Sequence, residues 1–383
     1  YRNPIVLNEM IFNMLYLANQ GVDIVRLDAV PYIWKQLGTS CRNLPQVHTI
    51  VRIMRMICEI VCPGVLLLGE VVMAPEKVVP YFGTVEKPEC HLLYNVTTMA
   101  STWHTVATKD VSLLRRQLDI ISELPRDYVF QNYLRCHDDI GWGLDYEYLE
   151  NFGIQEVPHK KYLNDFLTGK YPDSFARGEL YNDDPRLGDA RLCGTTASLC
   201  GIERFGFEGN QEGVDRAVRY DITLHAFMLS QSGIPVIYSG DEIGQVNDYS
   251  YKDDPEKSDD SRYLHRGKFD WKLAENRHDP ATVQGKLFPV LNKLEHIRSS
   301  HGIFNSNVPI HTIDTWDNSI LAFVRENDEE KFIGIYNFSE NDKVAWINEE
   351  DGMYTDLISG REMEAKGVQI PAFGCYWLCR NKQ

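Results

Sequence analysis

No stretch of this 383-residue chain is apolar for long enough to cross a membrane. Positive charge is also in short supply. Lys and Arg number 39 against 55 Asp and Glu, which leaves a formal net charge of -16. That balance repels polyanions and anionic lipid, so neither nucleic acid nor a membrane is expected as a partner. Paired cysteine motifs are missing. The nine cysteines are scattered, and neither Cys58 with Cys62 nor Cys375 with Cys379 has His or Cys companions at zinc-finger spacing. Reduced, mostly buried thiols are expected. No glycine-rich phosphate loop follows any strand-like segment, and there are no internal repeats or low-complexity tracts. No signal-peptide pattern is visible. The first residue is Tyr1, so the chain is expected to begin inside a domain, with any targeting segment upstream and a cytoplasmic location favoured over secretion.

What is present is a large apolar fraction, 43%, enough for a sizeable core and more than one structural unit. Aromatic residues make up 11%, which suits either sugar stacking or ordinary core packing. Glycosylation sequons occur at Asn95 and Asn337 and carry little weight.

The first two thirds alternates between two periods. Ile5 to Asn19 has helical spacing and ends at Gly21. Val22 to Asp28 reads as a strand, Leu44 to Cys62 as a helix, and the apolar Val65 to Glu70 as a strand buried on both faces. Further strands are expected at His91–Asn95, Tyr128–His137 and Ile234–Ser239, with helices at Ser112–Ser122 and Glu212–Ser232. Repeated βα units predict a parallel sheet, closed as a barrel or open and doubly wound. Between about 141 and 207 the alternation lapses into a stretch rich in Asp, Gly, Pro and Tyr, read as a functional insertion. From about His301 short strands and turns predict an antiparallel β-domain.

Three acids, Asp28, Glu70 and Asp138, stand at or just past the ends of predicted strands, the face on which barrel enzymes build active sites. Retaining cleavage of a glycosidic bond needs a nucleophilic carboxylate and a second carboxyl group that is acid, then base. A third can stabilise the cationic transition state. The segments Gly21–Ala29, Gly69–Pro75 and Arg135–Asp139, in that order, resemble the nucleophile, acid/base and third-carboxylate motifs of the α-amylase family of glycoside hydrolases. Tyr32–Cys41, His137–Trp142, Ser174–Gly178, Gly188–Arg191 and Lys257–Arg262 resemble the amylosucrases within it. Close relatives that only hydrolyse sucrose share many of these segments.

The resemblance implies an α/β fold: the C-terminal part of a (β/α)8 TIM barrel, about its fourth to eighth strands, over residues 1–300, with an inserted subdomain at 141–207 and a C-terminal antiparallel β-domain at 301–383. It implies that the earlier strands lie upstream of Tyr1 and that this stretch alone is inactive. Asp28 would be the nucleophile, Glu70 the acid/base and Asp138 the transition-state stabiliser. Arg26 would keep Asp28 ionised, and the plainer reading is an ordinary strand-end ion pair. His137 would bond glucosyl hydroxyls, or be a satisfied strand-end histidine. Arg262 would close the glucosyl pocket with an upstream aspartate. Asp139 and Arg191 would line the fructosyl and acceptor side, or form a surface ion pair. Lys160 stands where amylosucrases usually carry Arg, and Lys cannot reproduce the fork. The implied donor is sucrose and the acceptor an α-glucan, with no cofactor and no metal. A sucrose hydrolase, a starch-acting α-amylase or α-glucosidase, and a non-enzymatic amylase-like scaffold are the alternatives.

Overall fold

The computed structural model describes residues 1–184, 190–348 and 352–382. The Gly188-Asp189 part of the motif ending at Arg191 therefore lies outside the described residues. The chain forms two compact units, residues 1–97 with 125–131, and residues 98–124 with 132–383.

The first unit is built on parallel strands. Asn3 caps helix α1 (Pro4–Asn19) by accepting from the Ile5 N–H at 3.0 Å, and Pro4 occupies the first turn, where no N–H is needed. Strand β1 (Ile24–Leu27) follows, then α2 (Pro45–Val61) and β2 (Leu66–Gly69). β1 pairs with β2 in parallel, Leu27 opposite Gly69, and β2 pairs with β3 (Leu92–Tyr94), Gly69 opposite Leu93. The next strand, β4 (Val129–Asn132), lies parallel to β3. One core joins Met14 of α1, Ile50, Met54 and Cys58 of α2, and Val25 and Leu67 of the sheet. Each fully buried aliphatic side chain there contributes roughly 1.5–3 kcal/mol.

Strand β4 stops at Asn132, whereas the sequence predicts a strand running to His137. Just beyond Asn132 side chains take over the described bonding. The Trp103 Nε1–H donates to the Leu134 carbonyl at 2.7 Å, and Arg135 turns inward to a buried ion pair with Asp241 at 2.8 Å. Trp103 belongs to α3 (Val96–Thr108), which is followed by α4 (Ser112–Ser122).

The stretch from 141 to 207 is not a bare loop. It contains the short helix Tyr146–Glu150, helix α5 (Glu156–Leu167), an antiparallel pair β5 (Glu179–Tyr181) and β6 (Arg191–Cys193), and the short helices Thr196–Cys200 and Ile202–Phe207. Its buried positions include polar ones, which hides the helical period. Asn164 in α5 accepts from Trp142 Nε1–H at 2.8 Å and donates to the Ala190 carbonyl at 3.1 Å. Lys160, also in α5, is buried and paired with Glu156 at 2.7 Å.

Helix α6 (Gln211–Ser230) is buried along most of its length. The strand expected after it is reduced to β7 (Ile234–Pro235), where proline removes a ladder donor. After α7 (Val283–Ser300), strands β8 (His311–Ile313), β9 (Ile320–Glu326), β10 (Glu330–Asn337), β11 (Lys343–Ala345), β12 (Met353–Asp356), β13 (Glu362–Glu364), β14 (Val368–Ile370) and β15 (Cys375–Asn381) complete the chain. They form an antiparallel six-stranded sheet in the order β13-β12-β15-β10-β9-β8 and a separate β11-β14 pair. This sheet is fastened to α6: Tyr220 stacks on Phe373 at 4.1 Å, and buried Arg325 donates to the Ser230 carbonyl at 2.9 Å.

Both sequon asparagines, Asn95 and Asn337, are buried, and all nine cysteines are free thiols. Among the described residues no helix is long and apolar enough to cross a membrane.

Candidate active site

Parallel pairing in register sets Asp28 after β1 and Glu70 after β2 at the same end of adjacent strands. Arg26, two residues before Asp28 and opposite Leu68, faces the same side of the sheet and reaches both. Its Nη1 donates to Asp28 Oδ1 at 2.6 Å, its Nη2 lies 3.7 Å from Glu70 Oε1, and its Nε donates to the Tyr94 hydroxyl at 2.9 Å. Burial by itself would weaken the guanidinium's charge; the bonds to Asp28 and to the Tyr94 hydroxyl and the charge of Glu70 more than reverse this and hold it protonated. The two carboxylates differ in exposure, 75% for the Asp28 side chain and 15% for Glu70. Asp28 is thus open to an incoming group while Glu70 is walled in.

Two backbone features fix Glu70. Ala29 takes a left-handed conformation at φ 44°, unusual for a residue with a Cβ, and its N–H donates to Glu70 Oε2 at 2.7 Å. Gly69 has no room for a side chain: a Cβ there would meet Cys90 Sγ at 2.7 Å and Leu93 Cδ2 at 2.9 Å.

In the second unit Asp138 has three basic neighbours. His137 Nε2 lies 3.1 Å from its Oδ2, and Arg262 Nη1 and Arg266 Nη2 lie 3.4 and 3.3 Å from its Oδ1. Arg262 is forked onto Asp260, Nε to Oδ1 at 2.9 Å and Nη2 to Oδ2 at 2.7 Å, and its guanidinium covers the Tyr181 ring at 4.5 Å. Bonding to Asp260 raises its pKa despite partial burial, so it stays charged. The His137 carbonyl accepts from Arg266 Nε and from His265 Nε2. The Gly194 N–H donates to His265 Nδ1 at 3.1 Å, which assigns the proton to Nε2. Burial, then the nearby Arg135, lowers the His265 pKa to about 3, so the ring is neutral.

Asp139 and Arg191 meet at 3.3 Å because Ile140 and Leu192 exchange backbone hydrogen bonds beside them. Burial raises the Asp139 pKa and the Arg191 charge offsets part of that rise. Sequence-expected residues therefore assemble as Arg26 with Asp28 and Glu70, as His137 with Asp138 and Arg262, and as Asp139 with Arg191. Tyr94, Asp260 and Arg266 had not been singled out. Arg266 carried a signal in its position four residues after Arg262, whereas Tyr94 depends on lateral strand pairing that no local pattern encodes. A cavity of about 480 Å³ elsewhere in the second unit, lined by His104, His159, Tyr148, Phe152 and Tyr162 among others, contains none of the candidate carboxylates.

Residues 1–140 match the profile of the alpha-amylase catalytic domain, the segment that carries Arg26, Asp28, Glu70 and Asp138. The chain is similar to the glucosylglycerate phosphorylase of Escherichia coli strain K12, 27% identical over 380 residues, 99% of this chain and 64% of the relative. It is also similar to the glucosylglycerate phosphorylase of Spirochaeta thermophila, 31% identical over 292 residues, 75% of this chain and 46% of the relative. The structure of sucrose 6F-phosphate phosphorylase from Thermoanaerobacter thermosaccharolyticum superposes with a TM-score of 0.66 at 19% identity, over 95% of this chain and 64% of that one. The chain spans less than two thirds of the length of these relatives. The fold is that of the alpha-amylase family, a parallel α/β sheet followed by a C-terminal antiparallel β-sheet domain.

Proposed function

We propose that this protein is a retaining α-glucosyl-transferring enzyme of amylosucrase type, which takes sucrose, releases fructose and passes the glucosyl group to an α-1,4-glucan. The observation that carries the reading is the Arg26 fork, which holds an exposed Asp28 and an enclosed Glu70 at the ends of neighbouring parallel strands. Asp28 attacks the anomeric carbon as the bond to fructose breaks, and Glu70 delivers its proton to the departing oxygen. A β-glucosyl ester on Asp28 results. Glu70, now a carboxylate, takes the acceptor's proton as the acceptor hydroxyl displaces Asp28. Two inversions leave the α configuration unchanged.

Asp138 is assigned to the stabilisation of positive charge at the transition state. His137 and Arg262 are assigned to the glucosyl hydroxyls, and Asp139 and Arg191 to the fructosyl and acceptor side. The division into a catalytic part over 1–300, an insertion at 141–207 and a C-terminal domain at 301–383 belongs to the same proposal.

A second reading is phosphorolysis, with inorganic phosphate as the acceptor. Its support is that the two curated relatives and the solved structure above are phosphorylases, and that Arg262 and Arg266, both able to bond an anion, meet at Asp138.

The product mixture separates these readings. The full-length protein is given sucrose with glycogen, with phosphate, or with neither. Fructose with a lengthened glucan supports the transferase. Fructose with α-glucose 1-phosphate supports phosphorolysis, and fructose with equal free glucose supports a hydrolase. Starch shortened with no fructose from sucrose in any arm overturns the sucrose readings and leaves an amylase.

A further inference from the structure

Away from the carboxylates, a second group of donors converges where α7 runs into the C-terminal sheet. His301 caps the end of α7, Glu330 opens β10 and Cys379 lies in β15. The register explains the meeting. Phe332 pairs with Cys379 and Glu330 with Asn381, so Glu330, Phe332 and Cys379 share one face of the pleat. The turn Gly302–Phe304 folds over that face, with Phe304 against Phe332 at 5.0 Å and Trp377 at 5.1 Å, and this brings His301 to the rim.

His301 Nδ1, a Glu330 carboxylate oxygen and Cys379 Sγ all lie within 4.8 Å of one another. Two donors converge on one oxygen: His301 Nδ1 bonds to Glu330 Oε1, and Cys379 Sγ lies 3.8 Å from the same atom. The carboxylate is itself braced. Its Oε2 accepts from the Ile303 N–H at 3.4 Å, and the Glu330 N–H is held by Asn327 Oδ1 at 2.7 Å.

We propose that His301, Glu330 and Cys379 form a binding site for a divalent transition metal ion, with zinc the best match. One imidazole, one carboxylate and one thiolate are the ligand types zinc takes, and two anionic ligands neutralise a dication in a weakly polar setting. Tetrahedral zinc at ordinary bond lengths sets its ligand atoms about 3.3–3.7 Å apart. The Cys379–Glu330 separation of 3.8 Å lies about 0.1 Å beyond this range. His301 needs to draw back by about 0.8 Å on the same geometry. Its side chain is 28% exposed, so it can make this adjustment, and the exposed side gives the ion an entry path and leaves the fourth position to water. The reaction balances. Zinc displaces the Cys379 thiol proton, the imidazole proton relocates to Nε2 through solvent, and one proton is released per ion. The bound ion ties the end of α7 to β10 and β15. Sequence spacing concealed the site because its three ligands are far apart along the chain.

Cobalt(II) provides the test, since only a thiolate-ligated site gives an intense thiolate-to-cobalt band in the near ultraviolet. The reduced, metal-stripped full-length protein is titrated with cobalt and then with zinc. About one cobalt per chain with that band, abolished by zinc, is expected. Zinc should also raise the melting temperature. Cys379→Ser should remove the band, and His301→Gln should weaken binding roughly 100-fold. Cys136, His137 and Asp138 form another three-donor group, so Cys136→Ser is the control and should keep the band. Absence of the band, its loss in Cys136→Ser, or unchanged affinity in His301→Gln overturns the proposal. The His301 variant decides the matter if Cys379→Ser does not fold, because His301 lies at the rim.

Discussion

Arg26 spreads one guanidinium over three partners, Nη1 on Asp28, Nε on Tyr94 and Nη2 near Glu70. An ammonium has one charged atom and cannot hold that spacing. Arg26→Lys is therefore expected to lower kcat/KM for sucrose about 100-fold, the scale of losing one preorganised donor in an active site. The melting temperature should stay within a few degrees. Because Arg26 serves the nucleophile more than the leaving group, α-glucosyl fluoride should suffer as much as sucrose. Equal activity of Arg26→Lys and the parent protein would reduce the fork to a structural ion pair. At this scale the sequence was informative where chemistry follows local spacing. Arg26 lies two residues before Asp28 on one strand, and both could be read directly. The Tyr94 hydroxyl and the Asp260 fork could not, because which side chain a guanidinium selects depends on neighbours brought in by folding.

Among the elements, β2 shows most directly how the fold places a catalytic candidate. Its last residue is Gly69, pressed against Cys90 and Leu93, and the next is Glu70. Gly69→Ala should cost about 1–3 kcal/mol as an overpacked core position and displace Glu70 with the strand end. A denaturant melt read beside kcat should show both losses; an alanine variant with full stability and full activity would contradict the crowding. Helices with a clear apolar period were legible: α1, α2 and α6 begin and end within two residues of expectation. Strand ends were less so. The segment to His137 looks extended, yet the strand ends at Asn132 and Arg135 turns to a buried ion pair with Asp241. Helix α5 escaped notice because Lys160 and Asn164 occupy buried positions, and a hydrophobic pattern registers them as outward-facing.

For the molecule as a whole, the change from βα alternation to short antiparallel strands near His301 was readable from period alone, and the α-amylase resemblance rested on three motifs in order. The donor, sucrose, and the acceptor, an α-glucan, came only from the amylosucrase resemblance, because one fold hosts many activities. The central claim is that Asp28 carries the glucosyl group. It is tested most directly by rapid-quench mass spectrometry of the full-length Glu70→Gln variant mixed with α-glucosyl fluoride, a donor whose leaving group needs no proton. With Glu70 absent as base, the ester should accumulate, and the peptide containing Asp28 should gain the mass of one anhydroglucosyl unit, a gain abolished by adding Asp28→Asn. An unmodified Asp28 peptide while fluoride is released, or the sugar found on another carboxylate, would contradict the account.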